Sequence, residues 1–352
     1  MPIRFWNIKH KPDFRRMLKV LKRDGVPDRV PFFELFSNIE DEVLKVIGKY
    51  SENDTPLQRH ITYMYLLGYD YINLNADGFE FPQIVWRKTM TEEGERGYLL
   101  ASSHTIGSRE DFEKYPFPDI SKADFSPFEK VKKILPEGMK VMPSSGGILE
   151  NVMWLLGYEG ISFMLFENPP LVEDMFEEVA TRVIEYLDYC ASFDIVGAIR
   201  FGEDMGHRTQ TLLSPEVYRK YLFPWHKKLV EKVHKRGKPI IFHSCGNLTD
   251  IWDDILDCGW DAKHSFEDVI EPVWESKAKY GDCIAHLGGF DMDKICRMSE
   301  DEVRKHTRWL IEKCAPGGGW ALGTGNSVAN YIPINNFLAM LEEGYIAGKY
   351  LM

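Results

Sequence analysis

Several features that would take a protein into a membrane, onto nucleic acid or out of the cell are scarce in this chain. No apolar run approaches the ~20 residues that a bilayer-spanning helix needs, so an integral helical membrane protein is excluded. Basic residues are in deficit, with 43 Lys and Arg against 54 Asp and Glu and a formal net charge of −11. Without a cationic excess to neutralise phosphates, nucleic acid is not an expected partner, and an anionic membrane surface is disfavoured. Cysteine is sparse as well, at 6 in 352 residues. Cys190, Cys245, Cys258, Cys283, Cys296 and Cys314 form no dense framework, so reduced thiols are expected, most of them simply packing in the interior. The opening Met1-Pro2-Ile3-Arg4-Phe5-Trp6 runs into Lys- and Arg-rich sequence and lacks the apolar core of a signal peptide, which makes the cytoplasm the expected compartment. These features leave monomer and homo-oligomer both open.

What is present fits a globular enzyme. Hydrophobic residues make up 44% and charged residues 28%, near the average for such proteins. Short β-rich runs alternate with longer segments of helical periodicity, the pattern of a parallel sheet. About eight runs stand out, the number that closes a (β/α)8 TIM barrel. They are Val30 to Phe36, Tyr69 to Asn75, Lys140 to Ser144, Ile195 to Gly202, Pro239 to Cys245, Ala262 to Phe266, Cys283 to Gly288 and Trp320 to Gly323. Asn168-Pro169 and Ser214-Pro215 mark helix starts, Ser299-Glu300-Asp301-Glu302 reads as a capping box, and Gly237 reads as a helix stop. The stretch from Asp77 to Lys114 is too long for a plain loop, so Ile84 to Thr89 and Tyr98 to Ser102 are expected to pair as an accessory hairpin around Glu93-Gly94-Glu95. Residues 1–352 are therefore expected to form one α/β domain.

In such a barrel, catalytic side chains stand at the C-terminal ends of the strands. The fifth run ends in Phe242-His243-Ser244-Cys245-Gly246-Asn247. His243 and Cys245 are two apart and share one face of a strand, which would supply half of a tetrahedral zinc site or, equally, a buried histidine beside an inert cysteine. The fourth run ends in Glu203-Asp204, two acids that could serve as metal ligand, general acid or general base, or could cap the following turn. Glu203 is the favoured functional residue, because a carboxylate at a barrel mouth is costly to bury without a purpose; His207 lies further into the loop. The eighth run leads into Gly323-Thr324-Gly325-Asn326-Ser327, where Gly325 and Asn326 could approach a cofactor. It is not a phosphate loop, since no lysine or helix start follows in register. Phe32, Phe33, Phe36, Phe79, Phe81 and Trp86 cluster near the ends of the first two runs, either as core or as an apolar substrate wall.

Further stretches complete the pattern: Gly25-Val26-Pro27-Asp28-Arg29-Val30-Pro31, Glu150 to Gly157, Leu213-Ser214-Pro215-Glu216-Val217-Tyr218 with Pro224, and Leu287-Gly288-Gly289-Phe290-Asp291. Together with His243-Ser244-Cys245-Gly246, and in this order, they resemble the uroporphyrinogen decarboxylase superfamily over nearly the whole chain. True decarboxylases of that family carry an arginine-rich segment after strand one that grips the propionates of the tetrapyrrole. Here Glu34-Leu35-Phe36-Ser37-Asn38-Ile39-Glu40 is acidic and has no arginine, which tells against decarboxylation. The His-x-Cys-Gly motif is instead similar to that of the cobalamin-linked methyltransferases, in which histidine and cysteine bind zinc. That resemblance implies Zn2+ on His243 and Cys245. Those relatives that act on coenzyme M add a cysteine after strand eight, where this chain has Asn326. A carboxylate, a histidine or the substrate must then complete the site, with Glu203 the first choice, and the coenzyme M reaction is disfavoured. The resemblance further implies a small methyl donor or acceptor and a corrinoid carried by a partner protein. Uroporphyrinogen-type decarboxylation and a non-enzymatic corrinoid- or metal-binding scaffold are the competing readings.

Overall fold

The computed structural model describes residues 4–82, 87–91, 94–98 and 104–350. Its strands are β1 Tyr71–Asn73, β2 Arg87–Thr91, β3 Gly94–Tyr98, β4 Lys140–Met142, β5 Ser144–Ser145, β6 Ile199–Gly202, β7 Ile240–His243, β8 Ala262–His264, β9 Ala285–Leu287 and β10 Trp320–Ala321. All pairings except β2 with β3 are parallel. β5 to β10 form one continuous ladder in chain order, and β1 pairs with β4. The third expected strand is split between β4 and β5 at Pro143, which has no N–H to give to a ladder.

The first expected strand, Val30 to Phe36, is extended chain held by single bridges rather than a regular strand. Phe32 bridges Leu322 in parallel, with Phe33 N–H donating to Leu322 O at 2.8 Å and Leu322 N–H to Pro31 O at 3.0 Å. This contact closes the barrel onto the eighth strand. On its other side, side chains replace the ladder: Asn73 Nδ2 donates to Leu35 O at 3.0 Å, and the Tyr71 hydroxyl donates to Glu34 O at 2.8 Å. The accessory hairpin is present, but Thr91 pairs with Gly94. Gly94 and Glu95 thus belong to its second strand, not to its turn; the expected arm ends at 84–86 and 99–102, together with Trp86, lie outside the described residues.

Helices cover the outside of the barrel. Pro169–Ala191 starts at Asn168, whose side chain accepts from Leu171 N–H, and Glu300–Cys314 carries the expected capping box at Ser299. Ser214 precedes the helix Pro215–Tyr221 but makes no side-chain cap. Phe201 of β6 and Phe242 of β7 point outward and stack on Trp260, at ring-centroid distances of 5.4 and 5.0 Å. Both faces of these strands are therefore buried. Phe32 and Phe33 are core, Phe79 stacks on Tyr186, and Phe36 is exposed. Cys190, Cys258 and Cys314 are buried as expected, whereas Cys283 is exposed and Cys296 is only half-buried; none of the six is in a disulfide. Cys283 lies just before β9, where the chain is still turning at the surface. Among the described residues no helix is long and apolar enough to cross a membrane.

Candidate metal centre

Period-2 alternation sorts the residues at the ends of β6, β7 and β8. Arg200, Gly202 and Asp204 turn toward a cavity of about 630 Å³ at the barrel mouth, and His243 and Cys245 line the same cavity, as does Asn326. The donor atoms of Asp204, His243 and Cys245 all lie within 4.8 Å of one another. Cys245 Sγ is 3.5 Å from His243 Nε2, and Asp204 Oδ1 is 3.7 Å from the same nitrogen. Ligands about 2.0–2.3 Å from a single zinc ion stand roughly 3.3–3.8 Å apart in a tetrahedron, so these spacings fit a shared ion.

The surroundings fix each donor. Cys245 N–H donates to Asp204 Oδ1 at 2.8 Å, and Asn326 Nδ2 donates to Cys245 Sγ at 3.2 Å. Gly246 and Gly206 allow this closeness: a Cβ on Gly246 would sit 2.3 Å from the carbonyl carbon of Gly206, so the loops after β6 and β7 touch backbone to backbone. Burial pushes the Cys245 thiol up to about 12, leaving it a thiol unless a cation stands beside it.

His264, on β8, orients His243. Their Nδ1 atoms are 2.8 Å apart, so one must donate and the other accept. Burial pushes His243 down to about 4 and His264 well below its ordinary value, so both rings are neutral. His264 Nε2 faces Thr324 O at 3.4 Å, and a carbonyl can only accept. The proton of His264 is thereby assigned to Nε2, and His243 donates from Nδ1, leaving its Nε2 lone pair aimed at Asp204 and Cys245. Behind this pair, the Thr324 hydroxyl contacts both Asn326 O and Glu34 Oε2. Its one proton serves two acceptors, and the Thr324 N–H donates to Glu34 Oε1 at 2.9 Å. Burial pushes the Glu34 carboxyl up to about 8 against these bonds.

Glu203, expected as the third ligand, is turned the other way, and this corrects the expected donor set. It is fully buried on the outward face of β6, where its carboxylate accepts the N–H groups of Ile148, Leu149 and Glu150 at 2.8, 3.2 and 3.1 Å. It thus caps the helix Ile148–Leu156. His226 Nε2 adds a fourth contact at 3.1 Å. Burial pushes Glu203 up to about 8 against the pull of the three N–H groups. Gly325 does not line the cavity either: its N–H donates to Phe290 O at 2.7 Å, and a Cβ there would meet Phe266 O at 2.3 Å. Close packing between strands, not ligand approach, requires glycine at that position. His207 is exposed, away from the cluster.

Two residues of the site went unassigned in the sequence. His264 is a polar residue at the catalytic end of a strand. Arg200 is the one charged side chain within the run Ile195 to Gly202. Those were the available signals.

Fold and site together define a parallel (β/α)8 barrel with a metal-type Asp-His-Cys cluster at its C-terminal mouth. Residues 94–344 match the uroporphyrinogen decarboxylase (URO-D) family, and the chain belongs to that family. Among curated proteins it is similar to the methylated-thiol–coenzyme M methyltransferase of Methanosarcina mazei, 29% identical over 38% of this chain and 34% of that protein. It is also similar to the methylcobamide:CoM methyltransferase MtbA of the same organism, 27% identical over 42% of this chain and 43% of that protein. The chain thus spans less than half the length of each of these relatives. A solved methyltransferase structure from Methanosarcina mazei shares the fold, with a TM-score of 0.73 at 16% identity, covering 96% of this chain and 99% of that one.

Proposed function

We propose that this chain is a zinc-dependent methyltransferase, moving a methyl group between a small molecule and the corrinoid of a partner protein. The small molecule is a methyl ether, alcohol or amine as donor, or a thiol as acceptor. The observation that carries this reading is the convergence of Asp204, His243 and Cys245 at the mouth of a URO-D-family barrel. Zinc held by these three residues would supply Lewis acidity, polarising the heteroatom that releases or receives the methyl group.

The protein's own residues have separate parts. His264 fixes the direction of the His243 Nε2 lone pair by accepting its Nδ1 proton. Asn326 donates to Cys245 Sγ and favours negative charge on the sulfur. Leu35, Phe36 and Leu74 give the cavity an apolar wall, against which a methyl-bearing group is held and from which water is excluded. Glu203 acts as a positioning residue, anchoring the helix whose Glu150 lines the cavity. In this reading the corrinoid is carried by a partner docked over the mouth. Direct displacement requires donor, acceptor and cobalt in line, which such docking provides.

The test is to mix the zinc-loaded chain with a corrinoid protein in the cob(I)alamin state and a panel of methyl ethers, alcohols and amines. Conversion to methylcob(III)alamin is expected with at least one donor, lost on chelation and restored by zinc. If no donor reacts, and no thiol or folate demethylates the methylated corrinoid, the reading fails.

A further inference from the structure

Arg200 stands apart from the other well-buried arginines. Arg16 and Arg29 both pair with Asp70. Arg200 is only 5% exposed, yet among the described residues no carboxylate lies within ion-pair distance of it. Its hydrogen bonds run to neutral acceptors: Nε to Met142 O at 3.2 Å, Nη1 to Leu35 O, and Nη2 to Ser144 Oγ at 3.4 Å. A guanidinium has five N–H groups, so three bonds leave two to offer. Burial lowers Arg200 only to about 10, so it keeps its charge at neutral pH.

A buried cation without an anion is unfavourable unless something completes it, and Arg200 lines the same cavity as Asp204, His243 and Cys245. It lies four residues before Asp204 on the same strand face, deeper in the barrel. A buried guanidinium with two N–H groups to offer and no carboxylate partner describes a polar subsite at the cavity floor.

From this geometry we infer that Arg200 recognises a carboxylate on the small molecule, received as a paired contact through its two open N–H groups. The molecule would reach from this floor toward the Asp-His-Cys cluster. The acidic segment Glu34 to Glu40 supplies no cation, but the barrel interior does so from strand β6. This inference names the substrate class for the proposed methyl transfer and rests on that reading. Guanidinium suits the task because its planar fork matches a carboxylate in a way that an ammonium does not.

The test is equilibrium binding to the full zinc-loaded chain, needing neither corrinoid nor turnover. Benzoate and acetate are titrated calorimetrically against their neutral isosteres benzamide and acetamide, in the unaltered chain and in Arg200→Gln and Arg200→Lys. At least one acid should bind at least tenfold more tightly than its amide. Arg200→Gln should abolish that preference with zinc content unchanged, and Arg200→Lys should retain part of it. The lysine variant serves if the glutamine variant does not fold. Equal binding of acid and amide, no binding of either acid, or an undiminished preference in Arg200→Gln overturns the inference. Methyl transfer from an uncharged donor with no carboxylate binding would sink this assignment alone, while carboxylate binding without any methyl transfer would sink the reaction and leave the subsite.

Discussion

Glu203 and Asp204 are neighbours in sequence but serve opposite sides of the barrel wall. Asp204 faces the mouth, 3.7 Å from His243 Nε2, while Glu203 faces outward and caps the helix Ile148–Leu156. Their substitutions should therefore separate. Asp204→Asn should lower zinc affinity by at least about tenfold and leave the unfolding midpoint of the metal-free chain nearly unchanged, because its carboxylate is half-exposed. Glu203→Ala should keep its zinc and lose about 1–3 kcal/mol of stability, since three helix N–H groups and His226 lose their acceptor. Metal analysis and denaturant unfolding on the two variants check this, and the reverse outcome would return Glu203 to the metal.

His264 touches no proposed substrate, yet it sets the tautomer of His243. Replacing it by leucine removes the acceptor for the His243 Nδ1 proton, so the ring can turn or shift its proton to the face that should bind metal. A loss of about 10–100-fold in zinc affinity is expected. Competition against a chromophoric chelator measures it. An unchanged affinity would mean that His243 is oriented by other contacts.

Glu34 gives a stability signature with a defined sign. Its folded carboxyl is pushed up to about 8 by burial, while the unfolded chain ionises near the ordinary value of about 4.3. Between these values the folded state holds the proton and the unfolded state does not. The contribution of Glu34 is thus fully present below about pH 4 and is lost as pH rises through about 8. Glu34→Gln keeps a donor toward Thr324 and removes the titration. Between pH 6 and 9 the unaltered chain should lose a few kcal/mol more than the variant, read from urea unfolding at each pH. Parallel pH profiles would show that Glu34 is ionised when folded.

How far the sequence discloses this architecture depends on which physical rule governs each residue. Alternating β-rich and helical runs reveal the eight strand positions, because the parallel sheet is buried on both faces and each strand is a distinct apolar run. That same double burial hides which residues point inward. For His243 and Cys245, spacing by two suffices, since it puts both on one face whichever face that is. For Glu203 and Asp204 the choice depends on absolute parity, which follows from Phe201 and Phe242 stacking on Trp260 outside the barrel. That is a contact between distant segments. The break at Pro143 belongs to the same class: the proline is plain in the sequence, but whether its missing N–H interrupts a ladder depends on the strand alongside. Gly325 could be read as an approach point for a ligand or as a packing site, and only the carbonyl of Phe266 decides it.

The joint ligation of one ion by Asp204, His243 and Cys245 is tested most directly by X-ray absorption at the zinc edge, on the full chain loaded with one equivalent of zinc. The expected spectrum has one sulfur neighbour at about 2.3 Å with nitrogen and oxygen neighbours at about 2.0–2.2 Å. The sulfur shell should disappear in Cys245→Ser, and zinc uptake should fall in His243→Ala. A first shell of nitrogen and oxygen alone in the unaltered chain, or a chain that takes up no zinc, would contradict it.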